Sequence, residues 1–360
     1  MNGAPVTMPV PALPCHGDAF PGDTELVGEV LHCEAIKQPI LIMAIDTEEE
    51  FDWSQDFDKT STGVTHFESI HLLQDIFNEY EIKPEYVVDH PVVSQEFSIS
   101  KLLQYYHDGQ ASLGVHLQAW VNPPFDEKTT AFNSFANNLG AELEREKFLR
   151  LQEAFQEAVG VRPKVFKAGR YGIGASTQSL LEAEGFEVDL SSGAGFDFRS
   201  FGGPDFSRAS PNPYWFGRER KLLGLPTTGG FIGPLSCIGP IINGDISQYP
   251  LPGRIACRVL SASGMSQRVR LSPEGFSLTE LKALTRRLFN DGVRVFSLSL
   301  HSPSVMPGCT PYVQSIADRD AMFRQMRAYF DYFLGDLNGV TMTPLELKKY
   351  FEGSPAVDPV

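Results

Sequence analysis

Basic residues are in short supply: 30 Lys and Arg stand against 45 Asp and Glu, a formal net charge of −15. That balance excludes the usual nucleic-acid binders, which present a basic face. The five cysteines (Cys15, Cys33, Cys237, Cys257, Cys309) are scattered, odd in number and form no CxxC pair. Reduced thiols fit this pattern better than a disulfide framework. No apolar run approaches the length of a membrane span, so no membrane partner is expected. The opening Met1-Asn2-Gly3-Ala4-Pro5 lacks a basic stretch followed by an apolar one. The expectation is therefore no signal peptide and a cytoplasmic location. Gly229-Gly230-Phe231 and Gly202-Gly203-Pro204 read as turns, because no Walker lysine or dinucleotide fingerprint accompanies them. Internal repeats and low-complexity tracts are also lacking.

What is present suits a soluble globular chain. Of its 360 residues 42% are hydrophobic, with 26 Phe, enough for a sizeable core in one large or two smaller α/β domains. Residues 1–37 carry Pro5, Pro9, Pro11, Pro14 and Pro21 and read as an extended N-terminal arm. From Gln38 short apolar runs alternate with amphipathic stretches, the signature of βα units. Strands are expected at 40–46, 85–89, 112–117, 165–168, 187–190, 222–226, 293–300 and 339–343. Helices are expected at 66–80, 94–107, 139–159, 176–184, 278–290 and 317–334. In the last of these, Met322, Met326, Tyr329 and Phe333 form a core-facing stripe. Ser277 with Glu280 reads as a capping box. Seven to eight strands with intervening helices imply an α/β fold, a distorted or incomplete (β/α) barrel over 38–350, followed by a tail over 351–360. The helix-poor stretch 191–276 is expected to form long loops and extra strands over one rim.

In such folds the site lies at the C-terminal ends of the strands. The first strand, Ile42-Met43-Ala44-Ile45, runs straight into Asp46-Thr47-Glu48-Glu49-Glu50. Asp46 and Glu48 occupy alternate positions at its tip, whereas Glu49 and Glu50 read as a solvated loop. The other tips deliver Asp89 and His90, His116 and Gln118, Lys167-Ala168-Gly169-Arg170-Tyr171, Asp189, and Ser297-Leu298-Ser299-Leu300-His301. His66, His71 and His107 fall in or beside helices and read as structural, as does His90. Carboxylates crowded at one point repel unless a cation sits among them. Carboxylate and imidazole suit Zn²⁺ or a similar divalent ion, which would make a nucleophile of its bound water at neutral pH. One carboxylate can then take a proton and a histidine across the site can give one. Arg170 reads as a cation that orients the base or holds an anionic part of the substrate, or else as an exposed loop residue.

Taken in order, Ile45-Asp46-Thr47-Glu48, Gly169-Arg170-Tyr171 and Ser297-Leu298-Ser299-Leu300-His301 resemble the motifs of the polysaccharide deacetylase superfamily (NodB-homology, carbohydrate esterase family four). The resemblance spans roughly residues 38–350. Asp46-Thr47-Glu48-Glu49, Trp120-Val121-Asn122-Pro123-Pro124-Phe125 and Leu300-His301-Ser302-Pro303-Ser304 look like a bacterial subgroup linked to exopolysaccharide synthesis. It implies a catalytic base at Asp46, an orienting Arg170 and a general acid at His301. It further implies a divalent metal (Zn, or Co, Mn or Ni) on Asp46, Glu48, His116 and Gln118. Trp120, Tyr171 and Asp189 are then expected to touch substrate. The implied reaction is metal-dependent removal of an acetyl group from an amino sugar or glycan. Hydrolysis of a small amide or ureide, as in allantoinase-like relatives, and a non-catalytic carbohydrate-binding homologue stand as alternatives. This chain departs from the pattern in one respect. The family's paired HxxxH histidines are here His116 and Trp120, and the subgroup's histidine two places on is Gln118. A neutral amide oxygen is a poorer Zn²⁺ ligand than imidazole.

Overall fold

The computed structural model describes residues 28–219, 221–243 and 249–353. In chain order its strands are β1 (Gly28–Val30), β2 (Ile40–Thr47), β3 (Glu85–Val88), β4 (Ser112–Leu117), β5 (Val165–Ala168) and β6 (Val188–Asp189). They continue with β7 (Tyr214–Phe216), β8 (Leu222–Gly224), β9 (Gly229–Ile232), β10 (Gln267–Arg270), β11 (Val295–His301) and β12 (Val340–Thr341). The helices are α1 (Ile70–Glu79), α2 (His90–Val93), α3 (Glu96–His107), α4 (Ala141–Val159) and α5 (Ala175–Ala183). After them come α6 (Gly239–Asn243), α7 (Leu251–Ala262), α8 (Leu278–Asn290), α9 (Ile316–Phe330) and α10 (Pro344–Gly353).

One sheet runs β1-β7-β8-β6-β5-β4-β3-β2-β11. It is parallel from β8 to β11 and antiparallel where β7 and β1 extend it. Beyond β3, β12 pairs with the opening residues of β2 at Ile40 and Leu41. The two edge strands do not meet, so the barrel is distorted and open. Strand alternation decides what faces inward. In β2, Leu41, Met43 and Ile45 join the large cluster under the helices, whereas Ile40, Ile42 and Ala44 join the inner one. Asp46 continues the inner row. By the same count Ser299 and His301 follow Val295, Lys167 follows Val165, and His116 lies opposite in phase to Val115 and Leu117. The parallel register then sets His301 beside Asp46 and Lys167 beside His116.

Several expectations meet a different outcome. Residues 28–37 of the extended arm pack into the barrel: β1 pairs with β7, and Leu31, Cys33 and Ile36 are buried in the inner cluster. The remaining arm, 1–27, lies outside the described residues. At the other end α10 runs to Gly353 and drives Leu347 and Phe351 into the inner cluster, so Phe351 belongs to the core rather than a tail. Residues 354–360 lie outside the described residues. Within 191–276 the structure holds the 12-residue helix α7 as well as short α6. The apolar row of α7, Leu251, Ile255 and Val259, faces solvent, and among its residues only Cys257 is buried. The capping box at Ser277 and Glu280 and the burial of Met322, Met326, Tyr329 and Phe333 are as expected. No helix among the described residues is long and apolar enough to cross a membrane.

Candidate active site

The inward residues at the strand tips open into a cavity of about 420 Å³, within the ~300–1,000 Å³ usual for ligand pockets. Its floor holds Asp46, Glu48, His116, Gln118, Lys167 and His301. Asp46 is the hub. One carboxylate oxygen, Oδ1, accepts from Lys167 Nζ at 2.5 Å, and the other, Oδ2, lies 4.0 Å from His301 Nε2. Burial alone would raise the Asp46 carboxyl. The Lys167 ammonium, with His116 and His301 beyond it, outweighs burial and holds the carboxyl below its ordinary value.

His301 is fixed from behind. Its Nδ1 lies 2.7 Å from Glu274 Oε2, and its backbone N–H donates to Glu274 Oε1 at 3.1 Å. Ser304 donates to the same Oε1 at 2.5 Å, so this wholly buried carboxylate is fully engaged. Burial disfavours the imidazolium, yet Glu274, Glu48 and Asp46 outweigh it and push the His301 pKa up to about 9. At neutral pH the ring is protonated, and Nε2, too far from Asp46 for a hydrogen bond, faces the cavity. A carboxylate–imidazolium pair of this kind is a poised proton donor. Glu274→Gln is expected to move the alkaline limb of the pH–rate profile down from about 9 towards ~6.5, with KM nearly unchanged. A pH profile with an unmoved limb would show that Glu274 does not set the His301 charge.

The residues expected to hold a metal converge on this floor, but their donor atoms are committed elsewhere. Glu48 Oε2 accepts from the Gln118 amide and lies 3.3 Å from His116 Nε2. His116 Nδ1 is 3.2 Å from the Lys167 carbonyl, and both Asp46 oxygens face cationic nitrogens. Gln118 Oε1 is buried without a partner, pressed against Gly169. Among the described residues no three His, Cys, Asp or Glu side chains form a ligand group. This donor set, with an ammonium already held by its Asp46 carboxylate, does not fit a divalent ion.

Arg170 does not reach the base. The turn Gly169–Tyr171 takes both Arg170 (φ 54°) and Tyr171 (φ 62°) into the left-handed region, which costs non-glycine residues about 1–3 kcal/mol each. It turns Arg170 aside to Ser134 Oγ at 2.5 Å, between the rings of Phe57 and Phe135. The place beside Asp46 falls to Lys167. Tyr171, by contrast, enters the cavity: its ring lies 5.6 Å from Lys167 Nζ and its hydroxyl accepts from Arg270 at 3.1 Å. Asp189 stays out of it. Val188 of β6 and Leu190 just beyond it point inward, and Asp189 turns the other way to accept from the Ser191 hydroxyl.

Trp120 lines the cavity but is 3% exposed, donates to Glu49 Oε1 at 2.8 Å and packs on Phe57 and Phe51. It anchors the rim. Exposed Trp53 sits edge-on to His301 at 5.3 Å, near Tyr312, and offers an open aromatic face to the site. Glu49 is not solvated, and Glu50 is only partly so. Glu49 is buried and its backbone N–H donates to Asp89 Oδ2, while Glu50 accepts from the backbone N–H of buried His66 and lies against its ring. His90 stands outside the cavity.

No family model matches the chain, and no curated protein matches it as a sequence. Solved structures do. A structure assigned as a polysaccharide deacetylase from Mycobacterium smegmatis is 13% identical, covering 96% of this chain and 97% of that one, with a TM-score of 0.52. The two chains share a fold. A 4-alpha-glucanotransferase from Thermococcus litoralis is also similar, 11% identical over 89% of this chain and 41% of that one, with a TM-score of 0.50. The deacetylase fold thus sits close to a scaffold of different chemistry, and activity has to be argued from the site. In this chain, Lys167, Glu274, Arg270 and Trp53 are the site residues that the motifs do not include. Lys167 carried a legible signal, being the inward lysine of an otherwise apolar strand. Glu274 carried none, because it lies in the loop after β10.

Proposed function

We propose that this chain hydrolyses an acyl–nitrogen bond, removing an acetyl group from an N-acetylated amino sugar or glycan. The observation that carries the reading is the opposition of Asp46 to the Glu274–His301 pair across one cavity floor. Water attacks the acyl carbon as its proton passes to Asp46. The C–N bond then breaks as the His301 Nε2 proton passes to the departing nitrogen, leaving a free amine and acetic acid. Asp46 returns its proton through solvent and His301 is recharged. The lowered pKa keeps Asp46 ionised well into the acid range, at the cost of a weaker base. Phe51, Trp53, Phe57, Tyr171, Phe198 and Tyr312 line the walls and offer faces on which the C–H surface of a sugar ring can stack.

Acetate release from N-acetylglucosamine oligomers tests this reading, with allantoin and N-acetylated small amides run in parallel. Acetate formation that disappears in Asp46→Asn supports it. Turnover of the ureide alone would shift the assignment to a small-amide hydrolase. Binding of the oligomers without turnover of any substrate would mark a carbohydrate-binding protein.

A further inference from the structure

We infer that Lys167 is the resident cation of this centre, filling the electrostatic place of a divalent ion, so that Asp46, Glu48 and His116 hold no such ion tightly. The inference deepens the hydrolase reading and rests on it for its chemistry, although not for its binding test. Three independent arrangements point the same way. The lysine is buried at the inward position of β5 and reaches across the barrel mouth to Asp46 on β2. A dication on Asp46 would have to share that carboxylate with a fixed ammonium of like sign. Glu48 and His116, the remaining donors, lie against each other, and the His116 ring is held by the carbonyl of Lys167 itself. Finally, Gln118 stands where the resemblance leads one to expect imidazole, and it turns its N–H groups, not its oxygen, towards Glu48.

Loss of an imidazole donor and presence of a built-in cation belong together. With fewer ligands the floor would carry uncompensated carboxylates, and the ammonium neutralises the one on Asp46. An ammonium has three N–H donors, so holding Asp46 does not exhaust it. It supplies fixed positive charge beside the carbonyl oxygen that becomes negative during attack, and it needs no exchange with solvent ions. Lys167 therefore positions Asp46 and stabilises developing charge.

Metal analysis after dialysis against EDTA, and titration with Co²⁺ followed by its visible absorption, test this directly. Wild-type protein is expected to come through substoichiometric in metal and to show no saturable cobalt band. Lys167→Arg, which keeps the charge, should behave likewise. Lys167→Met combined with Gln118→His frees Asp46 and restores an imidazole. That pair is expected to tighten Co²⁺ binding at least ~10-fold over wild type. Stoichiometric metal in the wild-type protein, or a cobalt band there that Asp46→Asn removes, overturns the inference. So does EDTA-sensitive acetate release restored by Zn²⁺. If no substrate is turned over under any condition, the hydrolase reading fails, whereas the cobalt titration still decides the role of Lys167. A circular-dichroism melt of each variant separates lost binding from lost folding.

Discussion

His301→Gln is expected to lower kcat/KM by about 10²–10⁴-fold while the fold survives. Glutamine keeps a polar group near Glu274 but has no proton to give at neutral pH. In the wild-type protein turnover should fall as pH rises through about 9, where the His301 proton leaves. The variant's residual rate should lack that limb. Folding stability carries the same signature. His301 has its folded pKa raised to about 9 from an ordinary 6.5. The contribution of the pair is therefore complete below about pH 6.5 and lost as pH rises towards about 9. At 1.36 kcal/mol per pH unit the raised pKa corresponds to roughly 3 kcal/mol. Urea midpoints at the two ends of that window measure it. An equal drop in wild type and variant would place the pH dependence elsewhere.

Asp46→Asn is the second large effect, because it acts twice. It removes the proton acceptor, so turnover should vanish. It also leaves Lys167 buried beside a neutral amide, and breaking a buried pair by deleting one partner costs about 3–5 kcal/mol. The double variant Asp46→Asn with Lys167→Met removes the stranded charge as well. It should recover most of the lost stability and none of the activity. Chemical denaturation of the two variants side by side gives the answer. A double variant as unstable as the single one would mean that the pair is not what stabilises the barrel mouth.

Much of the fold was legible because parallel strands buried on both faces announce themselves as apolar runs. Ile40–Thr47, Ser112–Leu117 and Val295–His301 fall within a residue or two of their expected limits. Alternation along those strands was the deeper signal. It sends Asp46, His116 and His301 inward, and it also sends Lys167 inward while turning Asp189 away. Helix α7 was missed for the opposite reason. Its apolar row faces water, and Pro252 and Gly253 look like breakers although proline is at home in a first helical turn. Arg170 illustrates what a motif cannot carry. Its place depends on two left-handed residues that lend no composition signal, and those two angles decide whether a guanidinium meets the base or Ser134. Glu274 depends on the return of a loop from β10 to the rim, a tertiary event with no local trace.

The buried acid pair behind the rim has a consequence of its own. Glu49, raised well above its usual range, and Asp89, raised to about 6, are both pushed up chiefly by burial, with Glu49 further raised by Asp89, to which it is hydrogen-bonded. The Glu49 backbone N–H, donated to Asp89 Oδ2, ties the tip of β2 to the head of α2, and the bond from Trp120 to Glu49 Oε1 carries the tie to the rim of the cavity. Raised carboxyl pKa values favour the folded state below the ordinary carboxylate range and withdraw that support as pH climbs. The mouth of the barrel is thus braced by two buried carboxyls whose support fades as pH rises.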